Sequence, residues 1–118
     1  THQLWELVKL RVSQINQCAF CLDMHYNDAI ELGVSQEKLY GLNAWRAMPC
    51  YSEVEMTALT WAEAISEAKE IDEQLYQYSL QVLGDKGLVN LTIAVNAINS
   101  WNRIAKSFKP EIGSFKAK

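Results

Sequence analysis

Cys18-Ala19-Phe20-Cys21 sets two thiols three residues apart, and His25 follows four residues after the second. The residues around them read as the start of a helix, where unpaired backbone N–H groups and the helix dipole stabilise a thiolate. At about 100° per residue, Cys18, Cys21 and His25 fall within roughly 60° of one another, so one helix face carries all three. An imidazole titrates near neutral pH, so His25 can take or return a proton beside the thiols. Glu6, on the preceding helix, is a candidate to hold and polarise that imidazole, a link that requires tertiary contact. Cys18 and Cys21, about one turn apart, are expected to form a reversible disulfide. The third cysteine, Cys50, lies alone after Pro49 in a loop and reads as a passive thiol, and His2 carries no functional reading.

These residues need helices to hold them. Leu4, Leu7, Val8, Leu10, Val12 and Ile15 recur with helical rather than alternating spacing, giving a first helix between Gln3 and Ile15. A second begins near Asn16 to Cys18 and runs to Leu32, where Gly33 offers a left-handed stop. Ser35 opens a short helix through Trp45, broken by Met48-Pro49. Ser52 with Glu55 forms a capping-box pattern, predicting a helix from Glu53 to about Ala68. Asp72 starts a fifth helix that Gly84 ends, with Gly87 closing the turn. The last, from about Leu88 to Phe108, places Leu88, Leu91, Val95, Ile98 and Asn102 on one side, with Ile93, Ala97, Trp101 and Ala105 nearby; Lys109-Pro110 ends it. No segment alternates over strand length and no linker divides the chain. The fold class is therefore all-α, a single-domain bundle of about six helices spanning residues 1–118.

Bulk properties narrow the function. With 118 residues, 49% of them hydrophobic and four Trp, the chain can build one core. Its 11 basic and 14 acidic residues, net −3, leave no footprint for nucleic acid or an anionic membrane. No apolar run approaches the roughly 18 residues of a membrane span. The N-terminus lacks the apolar stretch of a signal peptide, so a soluble, cytoplasmic protein is expected. An odd cysteine count with a closely spaced pair points to redox or metal chemistry rather than a secreted disulfide framework. No haem, flavin or nucleotide motif is present, and no cofactor is expected.

Glu6, eleven intervening residues, Cys18-x-x-Cys21, three more and His25 resemble the core motif of the alkylhydroperoxidase D-like branch of the carboxymuconolactone decarboxylase family. The resemblance extends through Leu7 to Asn16, through Cys21-Leu22-Asp23-Met24-His25, and again in Asn43-Ala44-Trp45-Arg46 and Ile98-Asn99-Ser100-Trp101-Asn102-Arg103. It implies an alkylhydroperoxidase D-like helical fold and a homo-oligomer, a trimer or hexamer. It also implies peroxidase or disulfide-reductase activity rather than lactone decarboxylation. Carried over residue by residue, Cys21 is the peroxidatic nucleophile, Cys18 resolves, His25 is the relay base and Glu6 orients it. Helix geometry taken alone points instead to Cys18 as the more acidic thiol, while closeness to His25 favours Cys21. Two features depart from the pattern. Phe20 stands where alkylhydroperoxidase D itself carries a further histidine, which predicts slow peroxidase turnover. The chain also enters its first helix almost directly and without an initiator Met, where many relatives have a helical lead-in.

The leading expectation is a thiol peroxidase that takes a peroxide substrate and an unidentified thiol or protein reductant, with no assigned metal. A disulfide reductase or electron carrier would use the same pair without a peroxide pocket. A zinc module built on Cys18, Cys21, His25 and Glu6 uses suitable ligand types but lacks a second ligand pair. An oligomeric scaffold with a degenerate site completes the alternatives.

Overall fold

The computed structural model describes residues 1–114, so the last four residues of the expected 1–118 domain lie outside the described ones. In chain order the helices are α1 (His2–Ile15), α2 (Ala19–Glu31), α3 (Gln36–Tyr40), a 3-10 segment (Leu42–Ala47), α4 (Glu53–Ser66) and α5 (Glu73–Phe108). Among the described residues there is no strand, and the all-α reading holds.

Capping chemistry sets most boundaries. Backbone N–H groups donate to Thr1 Oγ1 from Leu4, to Ser35 Oγ from Lys38 and to Asp72 Oδ1 from Leu75. Each satisfies one of the free donors at a helix start. Ser52 and Glu55 close the expected reciprocal box at α4: the Glu55 N–H donates to Ser52 Oγ at 3.1 Å and the Ser52 N–H donates to Glu55 Oε1 at 2.8 Å. Gly33 takes φ +81° just past α2, the left-handed geometry expected of it.

Helix α1 runs through the middle of the bundle and packs on α2, α4 and α5. Leu7 and Leu10 enter one apolar cluster with Ala29, Leu39, Leu42, Trp45 and Leu59. Val8 and Val12 enter a second with Ala58, Trp61, Leu88, Leu91, Val95 and Ile98. Burial on two sides explains why its apolar residues do not form a single stripe.

Two places differ from the sequence-based expectation. The helix opened by Ser35 does not reach Trp45 as α-helix: α3 stops at Tyr40, and the chain tightens into the 3-10 segment with Ala44 off helical geometry (φ −129°, ψ 38°). Gly87 closes no turn. Gly84 alone (φ 77°, ψ 164°) bends α5 into two arms, and Gly87 lies within the second. Leu88, Leu91, Val95, Ile98 and Asn102 are buried as expected, but Ile93 and Trp101 remain 62% and 63% exposed because α5 packs inward on one side only. No helix among the described residues is long and apolar enough to cross a membrane.

Candidate active site

Asn16 caps the C-terminal end of helix α1, and Gln17 adopts a left-handed conformation (φ 54°) that turns the chain directly into α2. Cys18 sits at the N-cap of α2 in extended geometry, its sulfur accepting from the Cys21 N–H at 3.3 Å. The Cys18 N–H donates to the Ser13 carbonyl, tying the cysteine turn to the last turn of α1. Cys18 and Cys21 are joined as a disulfide, with Cα atoms 5.3 Å apart, as the spacing predicts. Cys50 is the free cysteine, half-buried against the cluster containing Trp45 and Tyr51.

A buried polar network anchors this turn from the α5 side. Asn16 Nδ2 donates to the side-chain oxygens of Asn99 and Asn102, Asn102 Nδ2 donates to Ser13 Oγ, and Ser13 Oγ donates to the Lys9 carbonyl. Asn99 Nδ2 extends the network to Ser66 Oγ on α4. Buried amides with satisfied partners hold a fixed geometry, since any displacement leaves a polar group unpaired in an apolar surround.

One turn beyond Cys21, His25 points its Nδ1 at Glu6 Oε1, 3.5 Å away, and each of these residues is only 7% exposed. Lys9 Nζ donates to the other Glu6 oxygen at 3.0 Å. Burial opposes ionisation of Glu6, but His25 and the Lys9 ammonium offset it and hold the carboxyl below its usual range. Glu6 and His25 thus approach each other across α1 and α2, without a hydrogen bond between the facing atoms. Asp28, which the sequence reading did not single out, lies one turn past His25 and converges on the same point. Burial and the negative charge of Glu6 push its carboxyl upward. The spacing His25-x-x-Asp28 was the available signal, but charged residues so spaced are common on helices.

Beside the cysteines opens a cavity of about 400 Å³ lined by Cys21, His25, Phe20, Met24, Trp101 and Phe108, with Asn102, Ile104, Ala105 and Pro110 completing its wall. Cys21 borders this space and Cys18 does not. Phe20, at the position of the missing histidine, adds to an apolar lining instead. The disulfide also removes both thiolates from the Cys18, Cys21, His25 and Glu6 ligand set, leaving two of its members beside Asp28.

The chain is similar to several known proteins. The profile described as "Carboxymuconolactone decarboxylase family" matches residues 1–64. The uncharacterized protein YdfG of Bacillus subtilis (strain 168) is 41% identical over 102 residues, covering 85% of this chain and 69% of that protein. The uncharacterized protein YnjA of Escherichia coli (strain K12) is 38% identical over 60 residues, covering 51% of this chain and 33% of that protein. Among solved structures, an Agrobacterium tumefaciens protein of unknown function, named as a candidate antioxidant defence protein AhpD, superposes with a TM-score of 0.88 at 33% identity. It covers all of this chain and 80% of that one.

Proposed function

Because the chain belongs to the carboxymuconolactone decarboxylase family and carries a cysteine pair beside a His–Glu contact, we propose that it is a thiol-dependent hydroperoxidase. The reduced form is the reactive one. The Cys21 thiolate attacks the distal peroxide oxygen, an S–O bond forms as the O–O bond breaks, and the leaving alkoxide takes a proton relayed through His25. Cys21 is then a sulfenic acid. The Cys18 thiol attacks its sulfur, water leaves, and the Cys18–Cys21 disulfide results. Two electrons and two protons from an external thiol or protein reductant reopen it. A reducing compartment such as the cytoplasm suits that cycle.

The observation that carries this reading is the cavity: Cys21 and His25 share its wall, and Cys18 is not among its lining residues. Its apolar lining favours an organic hydroperoxide over hydrogen peroxide. A hydroperoxide-consumption assay with several reductants tests the proposal. Turnover should disappear in Cys21→Ser. In Cys18→Ser the first oxidation should survive, leaving a sulfenic acid that dimedone traps, while multiple turnover fails. If Cys18→Ser abolishes the first oxidation and Cys21→Ser preserves it, the roles are reversed. Phe20 removes a polar group from the site and so favours one second reading, a disulfide reductase using the same pair. That reading predicts exchange with protein disulfides and no peroxide consumption.

A further inference from the structure

Glu6 Oε1, His25 Nδ1 and Asp28 Oδ1 are buried atoms with no hydrogen-bond partner among the described residues. Each of the three residues offers one possible ligand atom, and those atoms lie within 4.8 Å of one another. An imidazole nitrogen brings at most one proton, so it cannot satisfy two carboxylate oxygens well, and Lys9 is engaged on the opposite oxygen of Glu6. Two carboxylates are thereby held together with one donor between them. A cation bound by all three lone pairs would satisfy every group at once and cancel the repulsion between the carboxylates.

We infer that Glu6, His25 and Asp28 form a binding site for a first-row divalent transition metal, with Zn²⁺ as the probe. One imidazole nitrogen and two carboxylate oxygens suit zinc, and the nitrogen disfavours Mg²⁺ and Ca²⁺, which prefer all-oxygen shells. Tetrahedral zinc with ligands at about 2.0–2.2 Å sets neighbouring ligand atoms roughly 3.3–3.5 Å apart. The 3.5 Å between His25 and Glu6 already has that spacing. Asp28 has only to swing inward, and its half-buried side chain gives the cation a way in. Three protein ligands leave a fourth position open. The site uses no sulfur, so it persists when Cys18 and Cys21 are oxidised.

That independence gives the test. Zinc is titrated calorimetrically into the chelator-treated, oxidised chain, which offers no thiolate pair. One zinc per chain should bind, an equal concentration of Mg²⁺ should not displace it, and Asp28→Asn should weaken it at least about tenfold. In the unsubstituted chain, zinc should shift the Nδ1 ¹⁵N resonance of His25 while leaving that of His2 unchanged. Absence of binding, an unchanged affinity in an Asp28→Asn chain that keeps its far-UV circular dichroism, or a shift at His2 in place of His25 would each overturn the site. None of these readouts depends on peroxide turnover, so the metal site and the hydroperoxidase reading stand or fall separately.

Discussion

His25 has its side chain between the cavity that Cys21 borders and the carboxylate of Glu6, and this position makes the sharpest demand at the scale of single residues. Removing the imidazole should leave the thiol in place but less ionised near neutral pH. In the reduced protein, His25→Ala should slow reaction of Cys21 with an alkylating probe at pH 7 by at least about tenfold, less than the roughly 10²–10⁴-fold of a positioned general base because the helix N-terminus still stabilises the thiolate. Glu6→Gln should act in the same direction but more weakly, because it keeps the imidazole and removes only the orienting charge. A rate-versus-pH profile unchanged in His25→Ala would mean that the helix N-terminus alone activates the thiol. Glu6 itself is held below its ordinary value of 4.5, so the stability it contributes is fully present above that pH and is lost as pH falls through its depressed folded value.

Between elements, Glu63 on α4 does for the scaffold what Asn102 does for the cysteine turn. Its carboxylate accepts from Arg11 Nε at 2.9 Å, Trp45 Nε1 at 2.8 Å and an Arg46 guanidinium nitrogen at 2.6 Å, joining α1, the 3-10 segment and α4. The Arg46 guanidinium also stacks 4.4 Å above the Trp45 ring. Burial again opposes ionisation, and these donors offset it to hold the Glu63 carboxyl low. Glu63→Gln should cost about 2–3 kcal/mol, below the usual range for breaking a buried pair because Arg46 is 60% exposed. Chemical denaturation at pH 7 measures this. The difference between the two proteins should shrink as pH falls from about 4.5 through the depressed folded value, where protonation removes the same charge from the parent. At the bend of α5, an added Cβ on Gly84 would meet nothing within 4 Å, so any cost of Gly84→Ala comes from its φ of 77° alone. A loss of about 1–3 kcal/mol is expected in the same measurement; an unchanged midpoint would show that the bend relaxes freely.

For the whole molecule, the outward side of α5 is the conspicuous surface. Val89, Ile93, Trp101, Ile104 and Phe108 are between 48% and 82% exposed along one long helix. We propose that a second copy of the chain covers this stripe, as expected of a homo-oligomer. Sedimentation should give a trimer or a multiple of it, and Trp101→Asp should lower the order; a clean monomer at micromolar concentration would sink the idea. Trp101 and Phe108 also line the cavity, so association would reshape the wall that faces Cys21.

The sequence by itself determined what repeats within one helix. Caps at Ser52 and Asp72, the stop at Gly33, the buried row from Leu88 to Asn102 and the shared face of Cys18, Cys21 and His25 all follow from local hydrogen-bonding needs and the 3.6-residue period. Only the tertiary structure decided what happens between helices. Periodicity cannot say which of two neighbouring apolar stripes faces inward, so the exposure of Trp101 beside buried Ile98 emerged only once α5 was packed. Nor does it say which charge meets which: Glu63 finds Arg11 across 52 residues, and Asp28 meets Glu6 because α1 and α2 lie side by side. The helical period assigned the thiols and His25 to one face, while packing of α1 against α2 supplied the carboxylates that give that imidazole its surroundings.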